Sequence, residues 1–287
     1  MKVLVTGASG QLGADVIRCC EAAGDEVSGL AHAQLDVADR DAVHAAVFGL
    51  APDVIYHCGA WTAVDACESD PDRAFAVNAY GPRNVAEAAG RVGAHVVAVS
   101  TDYVFDGAKP TPYVEWDATS PMSVYGRSKL GGEHEVRSML PGSTVVRTAW
   151  VCGAGGGGNM VKTVLGLLDA DPGRELAFVD DQHGCPSFTA DLAPAMRRLG
   201  AARRPGTFHV TNAGPTTWHG FVQAVVVAAG GSADQVRPIS TADLQPPRPA
   251  PRPANSVLDN LGLRLAGEPP LAHWGEPLER LVKELTS

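Results

Sequence analysis

KVLVTGASGQLG, residues 2–13, is the stretch that decides the fold of this 287-residue chain. An apolar run stops at Gly7, and two more glycines follow at intervals of three, directly before a stretch with helical periodicity. The first glycine of such a unit permits a tight turn, the second lets the backbone approach a pyrophosphate, and the third allows helix and strand to pack closely. Free N–H groups at the helix start favour phosphate. The pattern predicts a dinucleotide site rather than a merely structural turn. Its residues are Gly7, Gly10, Gln11, Leu12 and Gly13.

Short β-branched runs alternate with alanine-rich helical stretches through the first half of the chain. This alternation is typical of βαβ units, so we expect an α/β fold with a doubly wound parallel sheet. The predicted strands are 2–6, 26–30, 54–58, 95–100 and 145–148, with a helix over 11–23. The less regular second half contains a glycine cluster at 153–158, a helix at 159–168, strands at 176–179 and 207–211, and a proline-rich stretch at 246–253.

No flexible linker separates these halves, so we expect two interleaved lobes. Residues 1–149 are expected to form the dinucleotide-binding domain, completed by part of 176–215. Residues 150–287 are expected to form mainly a smaller substrate-binding lobe.

The composition excludes several classes of protein. With 45% hydrophobic and 19% charged residues, the chain is typical of a globular enzyme. A net charge of −9 disfavours a nucleic-acid partner because an acidic protein repels phosphate backbones. No stretch approaches the ~20 apolar residues of a membrane span, and the N-terminus lacks a signal-peptide pattern. We therefore expect a cytoplasmic protein without a membrane partner. The six cysteines form no C-x-x-C pair, which indicates buried thiols and no metal site.

The end of the second predicted strand lacks the acid that usually binds the adenosine ribose. Leu30 is followed by Ala31 and His32, so nothing repels a 2′-phosphate, and NADPH is favoured over NADH. His32 is either a contact of that phosphate or an exposed loop residue. Asp36 either accepts a hydrogen bond from the adenine amino group or caps the helix that begins near Asp39.

Three polar residues suit carbonyl reduction. Tyr125 and Lys129 are four residues apart and so share a helical face, although such a pair is by itself usually a surface feature. A phenol has a pKa of ~10, and we expect the nearby ammonium to lower it. Thr101 follows a predicted strand, at the sheet edge where doubly wound folds bind ligands. It can donate to a substrate carbonyl or form a local turn.

Eight segments of the chain resemble the dTDP-4-dehydrorhamnose reductase family, and the likeness covers nearly the whole length. The STDYVFDG and RPANSVLD segments are far more specific than the glycine triplet. The segments are GASGQLG (7–13), GAWTAVD (59–65), VNA (77–79), STDYVFDG (100–107), YGRSKLGGE (125–133), RTAWV (147–151), DDQHGCPS (180–187) and RPANSVLD (252–259).

The resemblance implies an extended short-chain dehydrogenase fold in which Thr101, Tyr125 and Lys129 are catalytic. The cofactor residues expected beyond the glycine turn are His32, Asp36, Val37, Cys58, Gly59, Ala60, Thr62, Asn78, Ser100, Tyr125 and Lys129. The expected substrate residues are Thr62, Val64, Thr101, Asp102, Trp150, Asn159 and Arg252.

The sequence departs from the family pattern on the substrate side. Cys152 occupies a position where the family often has tyrosine, and Trp61, His183 and Cys185 are also unusual. Some relatives bind Mg²⁺ through acidic residues at a dimer contact, and Asp15 matches one such position. A single helical carboxylate is usually solvated, so we assign no metal.

The sequence therefore predicts an NADPH-dependent reductase of the 4-keto group of a dTDP-4-keto-6-deoxysugar, with dTDP-4-dehydrorhamnose as the substrate. One alternative is a sister ketoreductase for a branched or antibiotic-pathway dTDP-keto sugar, of the dihydrostreptose type. Another is a non-catalytic NADP-binding regulatory subunit. NADH as the cofactor and a homodimer as the assembly are left open.

Overall fold

A computed structural model describes residues 1–287, which form twelve strands and eleven α-helices. In chain order the strands are β1 (Lys2–Thr6), β2 (Glu26–Leu30), β3 (Val54–His57), β4 (His95–Thr101), β5 (Thr144–Thr148), β6 (Val151–Cys152), β7 (Leu176–Val179), β8 (His183–Gly184), β9 (Ser187–Phe188), β10 (Gly206–His209), β11 (Thr216–Thr217) and β12 (Val236–Ile239). The helices are α1 (Gln11–Ala22), α2 (Arg40–Leu50), α3 (Val64–Ser69), α4 (Pro71–Phe75), α5 (Gly81–Val92), α6 (Val124–Met139), α7 (Met160–Ala170), α8 (Thr189–Ala201), α9 (Trp218–Ala228), α10 (Leu261–Leu265) and α11 (Gly275–Thr286). A π-helical turn, Ala76–Tyr80, joins α4 to α5.

Six strands form one parallel sheet in the order β10-β5-β4-β3-β1-β2. The chain places β2 on one side of β1 and then β3, β4, β5 and β10 on the other side, as in doubly wound folds. The four residues of β3 are all buried, because a parallel sheet with helices on both faces exposes neither face. The predicted α/β doubly wound fold is confirmed.

Alternating side chains of the strands pack into two hydrophobic cores, one on each face of the sheet. Val3 and Val5 of β1 face α1 and α8, where they pack in a cluster with Val16 and Met196. Leu4 faces the other way, into a cluster formed with α2, α5 and α6. This alternation follows from the two-residue period of a strand.

Asp15 belongs to α1, at its contact with α8, and is only 5% exposed. Its carboxylate accepts hydrogen bonds from Thr189 and Arg18. The expectation that this carboxylate is solvated is wrong, because α8 covers it.

The smaller lobe has its own core, formed by α7, α9, α11 and short strands. Its strand pairs are β6 with β9, β7 with β12, and β8 with β11. The second half of the chain also contributes to the large sheet, since β10 pairs with β5 and α8 packs on α1. The division into lobes at residue 149 stays a prediction.

Several predicted element ends shift by one or two residues. Strand β3 stops at His57, β4 continues through Thr101, and β10 covers Gly206–His209 rather than 207–211. Helix α7 begins at Met160, because the Asn159 side chain accepts from the Lys162 amide as its N-cap. No helix combines the length and apolar character that crossing a membrane requires.

Candidate active site

A cleft of about 590 Å³ opens beside the carboxyl ends of β4 and β5. One wall is the first turn of α1, and another is the α6 face that carries Tyr125 and Lys129. The opposite side comes from the smaller lobe, through Trp150, Asn159 and Trp218. Both lobes therefore line the cleft.

The glycine turn has the geometry that its sequence predicts. Gly7 has φ +71°, which favours glycine, and it lies against the backbone of Cys58 and Gly59. A side chain at Gly13 would collide with the carbonyl oxygen of Gly7. Gly10 is the N-cap of α1 and provides no side-chain cap, so the first amides of the helix are free of a capping side chain. Such a cradle fits a diphosphate.

The end of β4 brings Ser100, Thr101 and Asp102 to the cleft. Thr101 Oγ1 donates to Asp102 Oδ1 at 2.9 Å and accepts from the Tyr103 amide at 3.2 Å. Asp102 is 2% exposed, and its Oδ2 has no hydrogen-bond partner. Burial raises the pKa of Asp102 to about 6, although the hydrogen bond from Thr101 opposes this shift.

Helix α6 positions the phenol and the ammonium. Ser123 caps this helix by accepting from the Gly126 amide at 3.1 Å. Lys129 Nζ donates to the Val99 carbonyl at 2.7 Å. Burial lowers the pKa of Lys129 to about 8, whereas Glu133 and Cys58 raise it.

The expectation that the pKa of Tyr125 is lowered is wrong. Burial raises the pKa of the Tyr125 phenol above its ordinary value, although the nearby Thr101 hydroxyl opposes this shift. The nearby Asp102 raises it further. The ammonium is instead bound to the Val99 carbonyl. Tyr125 is therefore protonated at neutral pH, the form that a proton donor needs.

Asn78 lies in the π-helical turn, is 1% exposed and does not line the cleft. Its Oδ1 accepts from the Trp61 amide at 2.8 Å, and its Nδ2 donates to the Trp61 carbonyl at 3.0 Å. It also donates to Ser128 Oγ at 3.1 Å. Asn78 thus fastens the loop that carries Ala60 and Thr62 to helix α6.

The other cofactor candidates differ in position. Cys58, Ala60 and Thr62 line the cleft, as do the substrate candidates Val64, Thr101 and Asp102. Gly59 lies beneath the glycine turn, in contact with Gly7.

Residues after β2 lie outside the cleft. His32 and Asp36 are exposed, whereas Val37 is buried against Gly81. Asp36 accepts from the Ala38 amide at 3.0 Å. The helix-capping alternative for Asp36 is wrong, since the Asp39 side chain caps α2.

Trp150 and Trp218 form a stacked pair, with ring centroids 3.6 Å apart and planes 10° apart. Trp150 has φ +46°, an unusual conformation for a large residue. Gly184 packs against the Trp150 indole and leaves no room for a side chain. Trp218 was not among the predicted site residues, because no local sequence signal distinguishes it from a core tryptophan.

Asn159 lines the cleft, but its side-chain amide is hydrogen-bonded to other groups of the protein. Nδ2 donates to Gln11 Oε1 at 2.6 Å and to the Gly153 carbonyl at 2.9 Å. Its Oδ1 accepts from the Lys162 amide at 3.0 Å.

Arg252 pairs with Asp65 through two hydrogen bonds, of 2.5 and 2.8 Å. The side chain is 16% exposed, so Arg252 is not a free surface arginine. Together with Arg248 it lines a second cavity, of about 280 Å³. Tyr103, Met160 and Trp218 line both cavities, which therefore adjoin.

Known proteins resemble this chain over most of its length. A family model described as the RmlD substrate binding domain matches residues 1–287. The chain is 45% identical over 277 residues to a Streptomyces griseus protein named dTDP-4-dehydrorhamnose reductase, covering 94% of this chain and 90% of that relative. A solved reductase of that name from Clostridium acetobutylicum superposes with a TM-score of 0.94, at 39% identity and 100% coverage of both chains. Another, from Bacillus anthracis and in complex with NADP, has a TM-score of 0.93 at 36% identity, covering 99% of this chain and 100% of that one.

Proposed function

Because the chain belongs to the RmlD substrate binding domain family, we propose that it is an NADPH-dependent reductase of the 4-keto group of a dTDP-4-keto-6-deoxysugar. The substrate we propose is dTDP-4-dehydrorhamnose, because relatives of the chain are named as reductases of that sugar. The observation that carries the proposal is the convergence of Thr101, Tyr125 and Lys129 on one cleft beside the glycine turn.

The cleft residues suit a nicotinamide dinucleotide. Gly7 and Gly13 leave room where side chains would collide with backbone, and the first amides of α1 are available to a diphosphate. A relative is bound to NADP, and no acid ends β2 to repel a 2′-phosphate. Lys129 would contact the nicotinamide ribose. When bound, NADPH supplies the hydride.

The chain's own groups handle the carbonyl oxygen and its proton. The protonated Tyr125 phenol donates a proton to the developing alkoxide, a contribution typically of ~10²–10⁴-fold in rate. The Thr101 hydroxyl, whose rotor now points to Asp102, can turn to donate to the same oxygen. These contacts strengthen as charge develops on the oxygen, so they favour the transition state.

The adjoining cavity suits the nucleotide end of the substrate. Arg248 and Arg252 line it, in a protein of net charge −9 where cations are needed to bind a diphosphate. Trp150, Trp218 and Cys152 line the cleft, and Trp218 also lines that cavity, so the sugar would lie against these residues. We place the reaction in the cytoplasm, and the oligomeric state stays a prediction.

The test is NADPH oxidation with purified protein and dTDP-4-keto-L-rhamnose, beside isomeric and branched dTDP-keto sugars. We expect the highest kcat/KM with the rhamnose precursor. A clearly higher value with a branched sugar would favour the sister ketoreductase. Absence of turnover with every sugar, in protein that still binds NADPH, would favour the regulatory subunit.

A further inference from the structure

The glycine segment, residues Gly153–Gly158, crosses from the smaller lobe to the first turn of α1. Gly156 has φ +64° and lies so close to the Gly10–Gln11 peptide that a side chain would collide with the Gln11 nitrogen. Gly157 and Gly158 line the cleft together with residues of that turn. The segment thus lies beside the helix end that the dinucleotide diphosphate would occupy.

The Gln11 side chain ties both ends of the glycine segment to α1. Its Oε1 accepts from the Gly153 amide at 2.9 Å and from Asn159 Nδ2 at 2.6 Å. Its Nε2 donates to the Gly158 carbonyl at 3.3 Å. The two ends are therefore anchored by one side chain.

The middle of the segment is held by Lys162, from the first turn of α7. Its Nζ donates to the carbonyls of Gly155 at 2.9 Å, Gly157 at 3.2 Å and Gly156 at 3.5 Å. In a trans peptide the N–H points opposite to the carbonyl. The amides of Gly156, Gly157 and Gly158 consequently point away from the ammonium, and none of them donates a hydrogen bond in the structure.

The cleft lining offers few positive charges to a bound diphosphate. Lys129 is the only basic residue in the cleft lining, and Asp102 is an acid there. Hydrogen-bond donors besides those of the helix end would stabilise a bound diphosphate further. Successive backbone N–H groups that point the same way bind anions well.

We infer that Lys162 is a positioning residue for the cofactor, holding the glycine segment so that its free amides form the outer wall of the diphosphate subsite. The inference rests on the proposed use of NADPH. It assigns a role to Lys162 and to Gly156–Gly158 that does not involve the sugar. The closing experiment therefore measures binding alone and is independent of turnover.

The test compares Lys162→Met with the wild type in two titrations, one with NADPH and one with adenosine 2′-monophosphate, which lacks the diphosphate. We expect the Kd for NADPH to rise about tenfold, the equivalent of one lost charge-assisted contact. The Kd for adenosine 2′-monophosphate should stay unchanged. Lys162→Arg should restore NADPH binding, and Lys283→Met, at an exposed site on α11, should change neither Kd.

Gly156→Ala provides a second route if Lys162→Met does not fold. An alanine there would be strained by φ +64° and would displace the segment from Gln11, so the same selective loss of NADPH affinity is expected. Unchanged NADPH affinity in both variants would overturn the inference. Equal weakening of both ligands would do so too, since it would indicate a general disturbance. Tighter NADPH binding would show that the segment obstructs the subsite instead.

Discussion

At the scale of single residues, the pKa of the Tyr125 phenol is set by burial rather than by the ammonium of Lys129. The phenol is 9% exposed and has a raised pKa, so it carries its proton until a better acceptor develops beside it. An alkoxide formed from a ketone is such an acceptor. Tyr125 and Thr101 both line the cleft at the end of β4.

Tyr125→Phe removes one hydroxyl and should leave NADPH affinity unchanged. We expect kcat to fall ~10²-fold or more, the usual scale for losing a general acid. Steady-state kinetics beside a cofactor titration would measure this. Tyr80→Phe, at a tyrosine that is 59% exposed, is the matched control and should behave as the wild type. A kcat near normal in Tyr125→Phe would show that another group supplies the proton.

Lys129 makes cofactor binding depend on pH. Burial lowers its pKa to about 8, so the free protein loses this positive charge as the pH rises through about 8. NADPH is an anion, and its affinity should therefore be higher below that pH and fall above it. Titrations between about pH 6.5 and 9.5 would measure the change.

Stability depends on the titration of Lys129 in the opposite direction, since it falls as the pH falls. The unfolded chain takes up this proton at a higher pH than the folded chain, so the buried lysine costs stability as the pH falls from its ordinary pKa towards about 8. Lys129→Met should flatten both profiles. A variant with an unaltered pH dependence of NADPH affinity would assign the titration to another group.

At the scale of elements, the contact of α1 with the glycine turn leaves no room for a side chain. Gly13 faces the Gly7 carbonyl at a distance that admits no Cβ, so Gly13→Ala must push the helix away from the turn. We expect at least a tenfold rise in the Kd for NADPH. Titration by fluorescence, with far-ultraviolet circular dichroism to check folding, would show it.

Gly49 supplies the control for this substitution. It lies in α2, and a Cβ there would meet no atom within 4 Å. Gly49→Ala should leave NADPH binding unchanged and stabilise the protein by roughly 0.5–1 kcal/mol, because alanine is the better helix former. Equal behaviour of the two alanine variants would contradict the close packing of α1 on its turn.

At the scale of the whole molecule, the pair of Arg252 and Asp65 joins distant parts of the chain. Asp65 belongs to α3, and Arg252 belongs to a C-terminal segment that lies 187 residues further on. The Asp65 carboxylate also accepts from the Ala250 amide at 3.1 Å. The pair fixes that segment beside the second cavity, close to Tyr103 and Trp218.

Arg252→Ala should raise KM for the nucleotide sugar and leave the Kd for NADPH intact. It should also lower the melting temperature by a few degrees, because the half-buried Asp65 loses its partner. Arg264→Ala is the control, because it breaks an ion pair with Asp259 in which the arginine is 52% exposed. It should change neither KM nor the melting temperature appreciably. An unchanged KM in Arg252→Ala would remove the segment from the substrate site.

The sequence by itself determined the features that depend on local geometry. The glycine spacing fixed the turn after β1, because only glycine admits the backbone contacts of Gly7 and Gly13. Alternating β-branched and alanine-rich runs determined the parallel sheet, and a four-residue spacing placed Tyr125 and Lys129 on one face of α6. These features follow from chain periodicity, which the neighbouring residues already contain.

Only the tertiary structure decided the contacts that join residues far apart in the chain. Asn78 bonds to the loop of Trp61, Trp150 stacks on Trp218, and Arg252 pairs with Asp65. It also decided that Tyr125 is buried and therefore protonated, and that Lys162 holds the glycine segment against α1. Such contacts and the burial they cause depend on how whole helices and strands pack, and no short stretch of sequence specifies that packing.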